Sequence, residues 1–252
     1  ADCVIHADGS GRHDPAGPTA HAPGLVGLKC HFDARALHAD APSREQAGDL
    51  PGQGLVGVRI RACDGAYVGT IAVEGGRATC ALVARADLVR RFAGDHDAML
   101  ASLWRRWPTD GAARAGVGDA GEWKACPVSR SWPVRPGHPR SLRLGNACAA
   151  VDPIGGEGIG LALWSAHTLA ELVAQDARGV EALRDLDALA RVGAGMHARY
   201  RARLRTRLPA CRAAAWALMR PGLVRAAWPV LGLPGVGIAP WLALTGKPVA
   251  RA

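Results

Sequence analysis

Aromatic side chains are scarce in this sequence, where they make up 5% of the 252 residues and most are tryptophan. Acidic side chains are also in deficit: 22 Asp and Glu stand against 31 Lys and Arg, which gives a formal net charge of +9 at pH 7. A positive surplus of this size is compatible with nucleic acid, an anionic membrane surface or an anionic substrate as partner. Because no RNA- or DNA-binding motif accompanies the charge, we predict no nucleic-acid partner.

The sequence also lacks cysteine motifs, and its first residues do not predict a signal peptide. None of its seven cysteines, an odd number, lies in a Cys-x-x-Cys pair: Cys3, Cys30, Cys63, Cys80, Cys126, Cys148 and Cys211. This pattern predicts neither a disulfide framework nor a metal site. The first residues do not combine a basic segment with the apolar run of a secretory signal peptide. We therefore predict a reducing, cytoplasmic location.

What the sequence has in quantity is apolar residues, 49% of the chain, and glycine, 32 residues. With 21% charged residues, this composition is typical of a globular protein with one large domain or two small ones. Glycines concentrate in the stretch 145–160, where an Asp-Pro step adds a further loop signal. The next segment, 161–174, is predicted to be a helix with an apolar face made by residues at helical spacing: Leu161, Ala162, Ala166, Leu169 and Val173.

A glycine-rich loop that leads into a helix collects free backbone N–H groups and about half a positive charge at the helix start. Anions bind at such places, and glycines let a flat or bulky ligand approach the backbone closely. The stretch 145–160 therefore predicts a site for an anion or an electron-rich ring. The alternative interpretation is an ordinary loop-to-helix junction, in which the glycines serve only tight turns.

The residues of this stretch are also similar to a known motif. Gly145-Asn146-Ala147, Asp152-Pro153 and Gly156-Glu157-Gly158-x-Gly160 together resemble the second flavin fingerprint of the FAD-dependent monooxygenase superfamily. That superfamily includes para-hydroxybenzoate-hydroxylase-like and geranylgeranyl-reductase-like enzymes, and its motif reads Gly-Asp-Ala-Ala-His, then Asp-Pro, then Gly-x-Gly. The sequence departs from it at Asn146, which replaces the acid, and at Ala149, where His is common. Asn still hydrogen-bonds a hydroxyl, so the first departure weakens the match without cancelling it.

The resemblance implies that the chain binds FAD through this stretch. It assigns the Asn146 side chain to the ribityl chain of the cofactor, and Asp152 and Pro153 to the loop beside the ring. The helix start then lies along the isoalloxazine ring. The cofactor-binding residues implied by the fingerprint are Gly145, Asn146, Asp152, Pro153, Gly155, Gly156, Gly158, Ile159 and Gly160. No side chain is predicted as catalytic acid or base, because the flavin itself carries the redox chemistry.

A second, shorter match lies near the start of the chain. Residues 3–5 predict a short apolar strand, and Ala7-Asp8-Gly9 follows it. In the same superfamily such a motif sits beside the FAD pyrophosphate, which adds Asp8 and Gly9 to the predicted site. A common strand-to-turn junction is the alternative.

The βαβ unit with Gly-x-Gly-x-x-Gly that opens complete enzymes of this class does not precede residue 8. We therefore expect an N-terminally truncated sequence that by itself holds FAD weakly. A Gly-x-Gly-x-x-Gly pattern does occur at 116–121, but it neither follows a predicted strand nor opens a predicted helix. It is therefore rejected as a nucleotide site.

The residues between the two motifs predict an antiparallel sheet. Leu28, Cys30 and Phe32 alternate with polar residues, the pattern of a half-buried strand, and His31 is predicted to point away from the apolar face. The stretch 24–33 resembles the strand that opens the substrate domain of the reductase-like branch. The strands of a meander with tight glycine turns follow, and then a helix: 55–60, 66–73, 78–83 and 86–107.

Together these features predict an α/β (α+β) fold with a partial FAD-binding Rossmann-like domain, an antiparallel substrate-domain sheet and a C-terminal helical region. The predicted boundaries are 1–24 with 134–178 for the first domain, 25–133 for the second and 179–252 for the third. Within the third, arginines at every second position from 199 to 207 predict a solvated helix surface.

The segment 226–246 is uncharged, but its three prolines argue against a membrane-spanning helix. Two interpretations stay open for it. The segment either makes peripheral contact with the inner face of the membrane or caps an apolar substrate tunnel.

The resemblance implies a flavin-dependent oxidoreductase. The first expectation is an NAD(P)H-dependent monooxygenase that hydroxylates a small aromatic or polyketide-like substrate, with FAD as cofactor and NAD(P)H as reductant. A C=C reductase or dehydrogenase of the geranylgeranyl-reductase type is the second expectation. The third is a truncated, non-catalytic paralogue that binds an apolar ligand, which Asn146 and Ala149 favour.

Overall fold

A computed structural model describes residues 3–9, 21–33, 58–104, 121–129, 131–134 and 138–231 of the chain. The strands of these ranges are β1 (Val4–His6), β2 (His21–Asp33), β3 (Arg59–Cys63), β4 (Ala66–Val73), β5 (Arg77–Arg85), β6 (Lys124–Ser129) and β7 (Ser141–Arg143). The α-helices are α1 (Ala86–Arg91), α2 (His96–Trp104), α3 (Gly158–Ala174), α4 (Leu186–Leu218) and α5 (Pro221–Leu231).

The described residues divide into two compact units. The fingerprint unit takes its residues from Ala1–Ala22, Val128–Ala215 and Pro229–Ala252. The sheet unit takes its residues from Pro23–Pro127 and Trp216–Trp228. The predicted functional division into a FAD-binding domain, a substrate domain and a C-terminal region stays a prediction.

The sheet unit is built on a five-stranded sheet with the order β3-β4-β5-β2-β6. The neighbours β3 and β4, β4 and β5, and β5 and β2 are antiparallel. The alternation predicted in β2 is confirmed: Leu28, Cys30 and Phe32 are buried. His31 lies on the opposite face, where its Nδ1 is 2.9 Å from the Thr79 hydroxyl of β5. The sequence pattern therefore set the register, because a slip by one residue would expose the apolar set.

Local turn chemistry explains the boundaries of several elements. One of the predicted glycine turns, Asp64-Gly65, joins β3 to β4, and Gly65 has a φ of +75°. The single helix predicted at 86–107 is wrong, because α1 ends at Arg91 and α2 begins at His96. Between them Gly94 has a φ of +91°, which interrupts a helix. Of the strand predicted at 55–60, residues 55–57 lie outside the described ranges, and β3 extends to Cys63.

The fingerprint unit contains a two-stranded parallel sheet, β1 with β7, in the register Val4–Ser141, Ile5–Leu142 and His6–Arg143. Its core combines residues of β7, α3 and α4, among them Leu142, Leu161, Leu189, Tyr200, Leu204 and Leu208. Each fully buried leucine contributes about 2 kcal/mol of hydrophobic stabilisation. The core therefore fixes the start of α3 against β7 and α4, and the fingerprint lies at that junction.

Helix α4 corrects the prediction of a uniformly solvated surface. Its buried stripe runs along one face at helical spacing through Met196, Tyr200, Leu204, Leu208 and Cys211. Of the alternating arginines, those at 201 and 205 are exposed, whereas those at 203 and 207 are partly buried. The reason is geometric, since a helix turns 100° per residue and every second residue cannot stay on one side.

The described residues include no helix that is both long and apolar enough to cross a membrane. Of the segment 226–246, residues 226–231 belong to α5, and residues 232–246 lie outside the described ranges. In α5 the Trp228 side chain is 64% exposed.

Candidate functional site

The two predicted motifs meet at one edge of the parallel sheet. His6 and Arg143 are paired at the ends of β1 and β7, and the Leu144 N–H donates to the His6 carbonyl at 2.9 Å. Ala7-Asp8-Gly9 continues from β1, and Leu144-Gly145-Asn146 continues from β7. Because parallel strands present their carboxyl ends on the same side, the structure brings Asp8, Gly9, Gly145 and Asn146 to this edge. Asp8 is exposed and Asn146 is partly exposed there.

Gly145 packs directly against α3. It has a φ of +53°, and a Cβ at this position would lie 3.3 Å from the Cα and the Cβ of Ala162. Its N–H donates to the Ser165 hydroxyl at 3.0 Å, and that hydroxyl donates to the Ala162 carbonyl at 2.8 Å. Only glycine satisfies both the left-handed backbone and the close approach. The start of the fingerprint is therefore fixed to the first turns of α3.

The predicted apolar face of α3 is partly wrong. Leu161, Leu169 and Val173 are buried as predicted, but Ala162 and Ala166 are exposed. Their places in the core are taken by Ser165 and Thr168, which are 0% and 2% exposed. Hydropathy alone missed Ser165, because its hydroxyl is buried in the hydrogen bonds to Gly145 and Ala162. A small hydroxyl residue at helical spacing from Leu161 was the available signal.

The Asp-Pro step forms a capped turn in the middle of the fingerprint. Asp152 is 1% exposed, and its Oδ1 accepts from the Ile154 N–H at 3.1 Å, which caps the 3₁₀ turn Pro153–Gly155. Gly156 ends that turn with a φ of +59°. A Cβ on Gly155 would lie 3.0 Å from the Cys211 Sγ of α4. These predicted residues therefore shape the loop. The Asp152 carboxylate is buried and hydrogen-bonds the backbone of the loop.

The start of α3 presents open backbone amides. The first hydrogen bond of the helix runs from the Leu161 N–H to the Glu157 carbonyl at 2.7 Å, so the N–H groups of 158–160 precede the helical ladder. No side chain caps this end, and its first turn contains no acidic residue. Ile159 is 80% exposed, and a Cβ on Gly160 would meet no described atom within 4 Å. The Asn146 Nδ2 lies 3.8 Å from the Cβ position of Gly158, so Asn146 flanks the same opening.

These features fit a planar, electron-rich group. Three exposed residues, 158–160, have amides without helical acceptors at the positive end of a 17-residue helix. Two of them are glycines, so no side chain at 158 or 160 separates a flat ring from the backbone. The polar side chains at this edge are an amide, Asn146, which donates and accepts, and an exposed carboxylate, Asp8, which accepts. The residues present therefore fit a flavin with its ring at the helix start and its polar chain along Asn146.

A buried ion pair links α4 to the residue that precedes α3. The sequence analysis did not predict this pair. The Arg207 Nη1 donates to the Glu157 Oε2 at 2.9 Å, and the two side chains are 15% and 6% exposed. Arg203, one turn earlier on α4, places its guanidinium 4.7 Å from the Trp164 ring centre. Trp164 packs edge-on against Tyr200 at 5.1 Å. The spacing 200, 203 and 207 was the only sequence signal that these side chains share one helix face.

Burial shifts the pKa of two groups in this part of the molecule. Desolvation lowers the pKa of Arg203, with Arg207 adding repulsion and Glu157 acting in the opposite direction. Burial also raises the pKa of Cys148, within the stretch 145–160, to about 12. The Cys148 thiol is therefore neutral at physiological pH, and it serves as a small apolar core group.

A cavity of about 700 Å³ also occurs in the fingerprint unit, but it lies elsewhere. Its lining includes His138, Pro139 and Ser141, at the amino end of β7, and residues of α4 such as Gly193 and His197. The fingerprint follows the carboxyl end of β7. The cavity is therefore separate from the predicted flavin site.

The fold is shared with flavoenzymes of known structure. PqsL of Pseudomonas aeruginosa, a probable FAD-dependent monooxygenase, is 22% identical with a TM-score of 0.60, over 90% of this chain and 59% of that one. HpxO of Klebsiella pneumoniae, solved with FAD and uric acid, is 18% identical with a TM-score of 0.60, over 97% of this chain and 59% of that one. The flavin-dependent halogenase CmlS is 17% identical with a TM-score of 0.52, over 81% and 35%. No protein-family model matches the sequence, and no curated protein matches it.

These similarities confirm the predicted α/β fold class. The chain shares its fold with the PqsL and HpxO structures. It spans about 59% of the length of the PqsL and HpxO chains that it matches. The individual cofactor-binding residues stay predictions.

Proposed function

We propose that the chain is part of an FAD-dependent monooxygenase that uses NAD(P)H to hydroxylate a small aromatic or polyketide-like molecule. The observation that carries this proposal is the set of open amides at 158–160, which lies on the same loop and helix start as Asn146. A flavin needs both hydrogen-bond donors at the electron-rich edge of its ring and a polar group along its ribityl chain. FAD supplies the redox chemistry when it is bound, and the protein supplies position and electrostatic field.

Each predicted site residue has a defined task in this proposal. The amides of Gly158, Ile159 and Gly160 would hold the ring of the flavin and stabilise the negative charge that it gains on reduction. Asn146 donates to, or accepts from, ribityl hydroxyls. Asp8 and Gly9 lie toward the pyrophosphate. The remaining residues hold the loop in shape and need no direct contact with the cofactor: Gly145, Asp152, Pro153, Gly155 and Gly156.

The fold relatives support a small-molecule substrate. PqsL has been solved with 2-aminobenzoylacetate, and HpxO has been solved with uric acid. We also propose a cytoplasmic location, with α5 as the element that contacts an anionic membrane surface. Leu223 and Trp228 are exposed on α5 beside Arg225, the pattern of a helix that lies in a membrane interface.

Two other functions follow from the same site, and one experiment separates all three. FAD is titrated into the chain and its binding is followed by flavin fluorescence. NADPH oxidation is then followed at high FAD concentration, with and without oxygen, in the presence of small aromatic substrates and of an isoprenoid. Substrate-dependent oxygen uptake supports the hydroxylase. Anaerobic reduction of an isoprenoid double bond supports the C=C reductase instead. A protein that takes up no flavin at any concentration supports the non-catalytic, apolar-ligand-binding paralogue.

Replacing Gly160 with aspartate is expected to weaken FAD binding at least about tenfold while stabilising the protein. A carboxylate in the first turn of α3 complements the helix dipole, and removal of glycine from a helix also stabilises it, together by about 1 kcal/mol. The same carboxylate repels the electron-rich ring and fills the space that Gly160 leaves open. FAD titration by fluorescence quenching and urea denaturation measure the two effects.

The matched control for this variant is Ala170→Asp, at an exposed position farther along α3. It is expected to leave FAD affinity unchanged and to lower stability slightly, because Asp is a poorer helix former than Ala. If Gly160→Asp binds FAD as tightly as the parent chain, the ring does not lie over the start of α3.

A further inference from the structure

The fold brings together cysteines that the sequence keeps far apart. Three cysteines belong to the core of the sheet unit: Cys30, Cys63 and Cys80 are 1%, 4% and 0% exposed. In the antiparallel pairing of β2 with β5, Cys30 lies directly opposite Cys80. Cys63 instead lies opposite Ala66 of β4, and Ala66 lies opposite Ala84 of β5. One pair of thiols therefore faces each other across a strand boundary, with a third buried thiol in a different row.

The two facing thiols are chemically unequal. The Cys80 thiol donates a hydrogen bond toward Cys30, which lowers the pKa of Cys30, although burial opposes this effect. The same hydrogen bond raises the pKa of Cys80 well above its ordinary value, and burial adds to the rise. The lower pKa of Cys30 and the higher pKa of Cys80 favour Cys30 as the thiol that reacts first.

The backbone geometry is compatible with a covalent link. Side chains directly opposite each other in an antiparallel pair have Cβ atoms about 4.5–5.5 Å apart, and a disulfide needs about 3.5–4.5 Å. An approach of about 1 Å across the pair is enough, and neither strand has to change its register. A metal is not the natural ligand of this cluster, because the described residues contain no group of three His, Cys, Asp or Glu side chains arranged to hold one.

We propose that Cys30 and Cys80 form an oxidative modification site, at which hydrogen peroxide converts the two thiols into a disulfide across β2 and β5. In the first step the Cys30 sulfur attacks one peroxide oxygen, so an S–O bond forms, the O–O bond breaks and one water leaves. In the second step the Cys80 sulfur attacks the Cys30 sulfur, so the S–S bond forms, the S–O bond breaks and a second water leaves with the Cys80 proton. Two thiols lose two electrons, and one peroxide becomes two waters.

The link would close the segment 31–79 into a covalent loop that contains β3 and β4. Such a loop restricts the unfolded chain, so the oxidised protein is expected to unfold at a temperature higher by about 5 °C or more. Burial of both sulfurs makes the reaction slower than oxidation of an exposed thiol such as Cys126. This site does not depend on flavin binding, so its test is independent of the proposed function.

The test uses the whole chain, folded and free of flavin, with hydrogen peroxide as the probe. Free thiols are blocked after different times, the protein is digested without reduction, and the peptides are identified by mass spectrometry. The expected product is a peptide pair linked through Cys30 and Cys80, with a mass lower by about 2 Da than the sum of the two thiol peptides. Cys63 is the matched buried control, and it is expected to stay a free thiol. Cys126 is the exposed control, and it is expected to oxidise first.

Three results would overturn the proposal. The first is that Cys30 and Cys80 stay as reduced as Cys63 after Cys126 has been fully oxidised. The second is a link through Cys63 in place of Cys30 or Cys80. The third is a linked pair that forms in urea-denatured protein but not in folded protein treated with the same peroxide. The variants Cys30→Ser and Cys80→Ser should each lose both the linked peptide and the rise in unfolding temperature. The three results above are measured on the parent chain, so they do not depend on whether the variants fold.

Discussion

Replacement of Arg207 with methionine is expected to lower the free energy of unfolding by about 3 kcal/mol. Arg207 neutralises Glu157, whose carboxylate is 6% exposed at the start of α3. Without the Arg207 guanidinium, the Glu157 carboxylate stays buried at the start of α3 and loses this ion pair. Breaking one side of a buried pair costs far more than removing a surface charge, because the remaining ion cannot return to water. Urea denaturation at pH 7, followed by circular dichroism, measures the change.

Two comparisons make the Arg207 result specific. Arg205→Met changes the same residue type on the exposed side of α4 and is expected to shift stability by less than about 0.5 kcal/mol. The double variant Glu157→Met with Arg207→Met removes both charges, and it should recover much of the loss. A single Arg207→Met variant that is as stable as Arg205→Met would contradict the view that this ion pair holds the start of α3.

Replacement of Gly145 with alanine is expected to cost about 3 kcal/mol and to weaken flavin binding through Asn146. Two penalties add at this position. The left-handed backbone, with a φ of +53°, is strained for any residue with a Cβ. The new methyl group also lies 3.3 Å from the Cα and Cβ of Ala162, so α3 or the loop has to move. Because Asn146 follows directly, its side chain would shift relative to the amides of α3.

The control for Gly145 separates these two penalties. Gly156 has a similar φ of +59°, but a Cβ there meets no described atom within 4 Å. Gly156→Ala should therefore cost only the backbone strain, about 1 kcal/mol. Adding Ala162→Gly to Gly145→Ala should recover part of the loss, since it removes one of the two close contacts. Equal losses at Gly145 and Gly156 would show that contact with α3 contributes nothing.

Local sequence rules predicted the parts of this molecule that local physics determines. The glycines of the fingerprint mark turns with positive φ at both Gly145 and Gly156, and Gly145 also allows the close approach to α3. The alternation through Leu28, Cys30 and Phe32 predicted the face of β2 that is buried. Backbone positions that require glycine, and strands whose faces alternate with a period of two, leave a pattern that can be read from the sequence.

Contacts between distant segments left no such pattern. Glu157 and Arg207 read as solvated charges until α4 folds back beneath the fingerprint. Ser165 reads as a polar surface residue, although its hydroxyl bonds Gly145 inside the core. Cys30 and Cys80 read as unrelated cysteines until the strands pair. In each case the tertiary fold determines which residues are partners, and local sequence patterns do not report tertiary contacts.

The proposed flavin site is tested most directly by mapping the residues that FAD contacts on this chain. FAD is titrated into the isotope-labelled protein up to about 1 mM, a range suited to weak binding, and backbone amide resonances are followed by NMR. The amide resonances of Gly158, Ile159 and Gly160 and of the Asn146 side chain are expected to shift together, while the amide resonance of Gly65, in the sheet unit, stays in place. FAD-induced shifts elsewhere, with those of 158–160 unchanged, would contradict the proposed site.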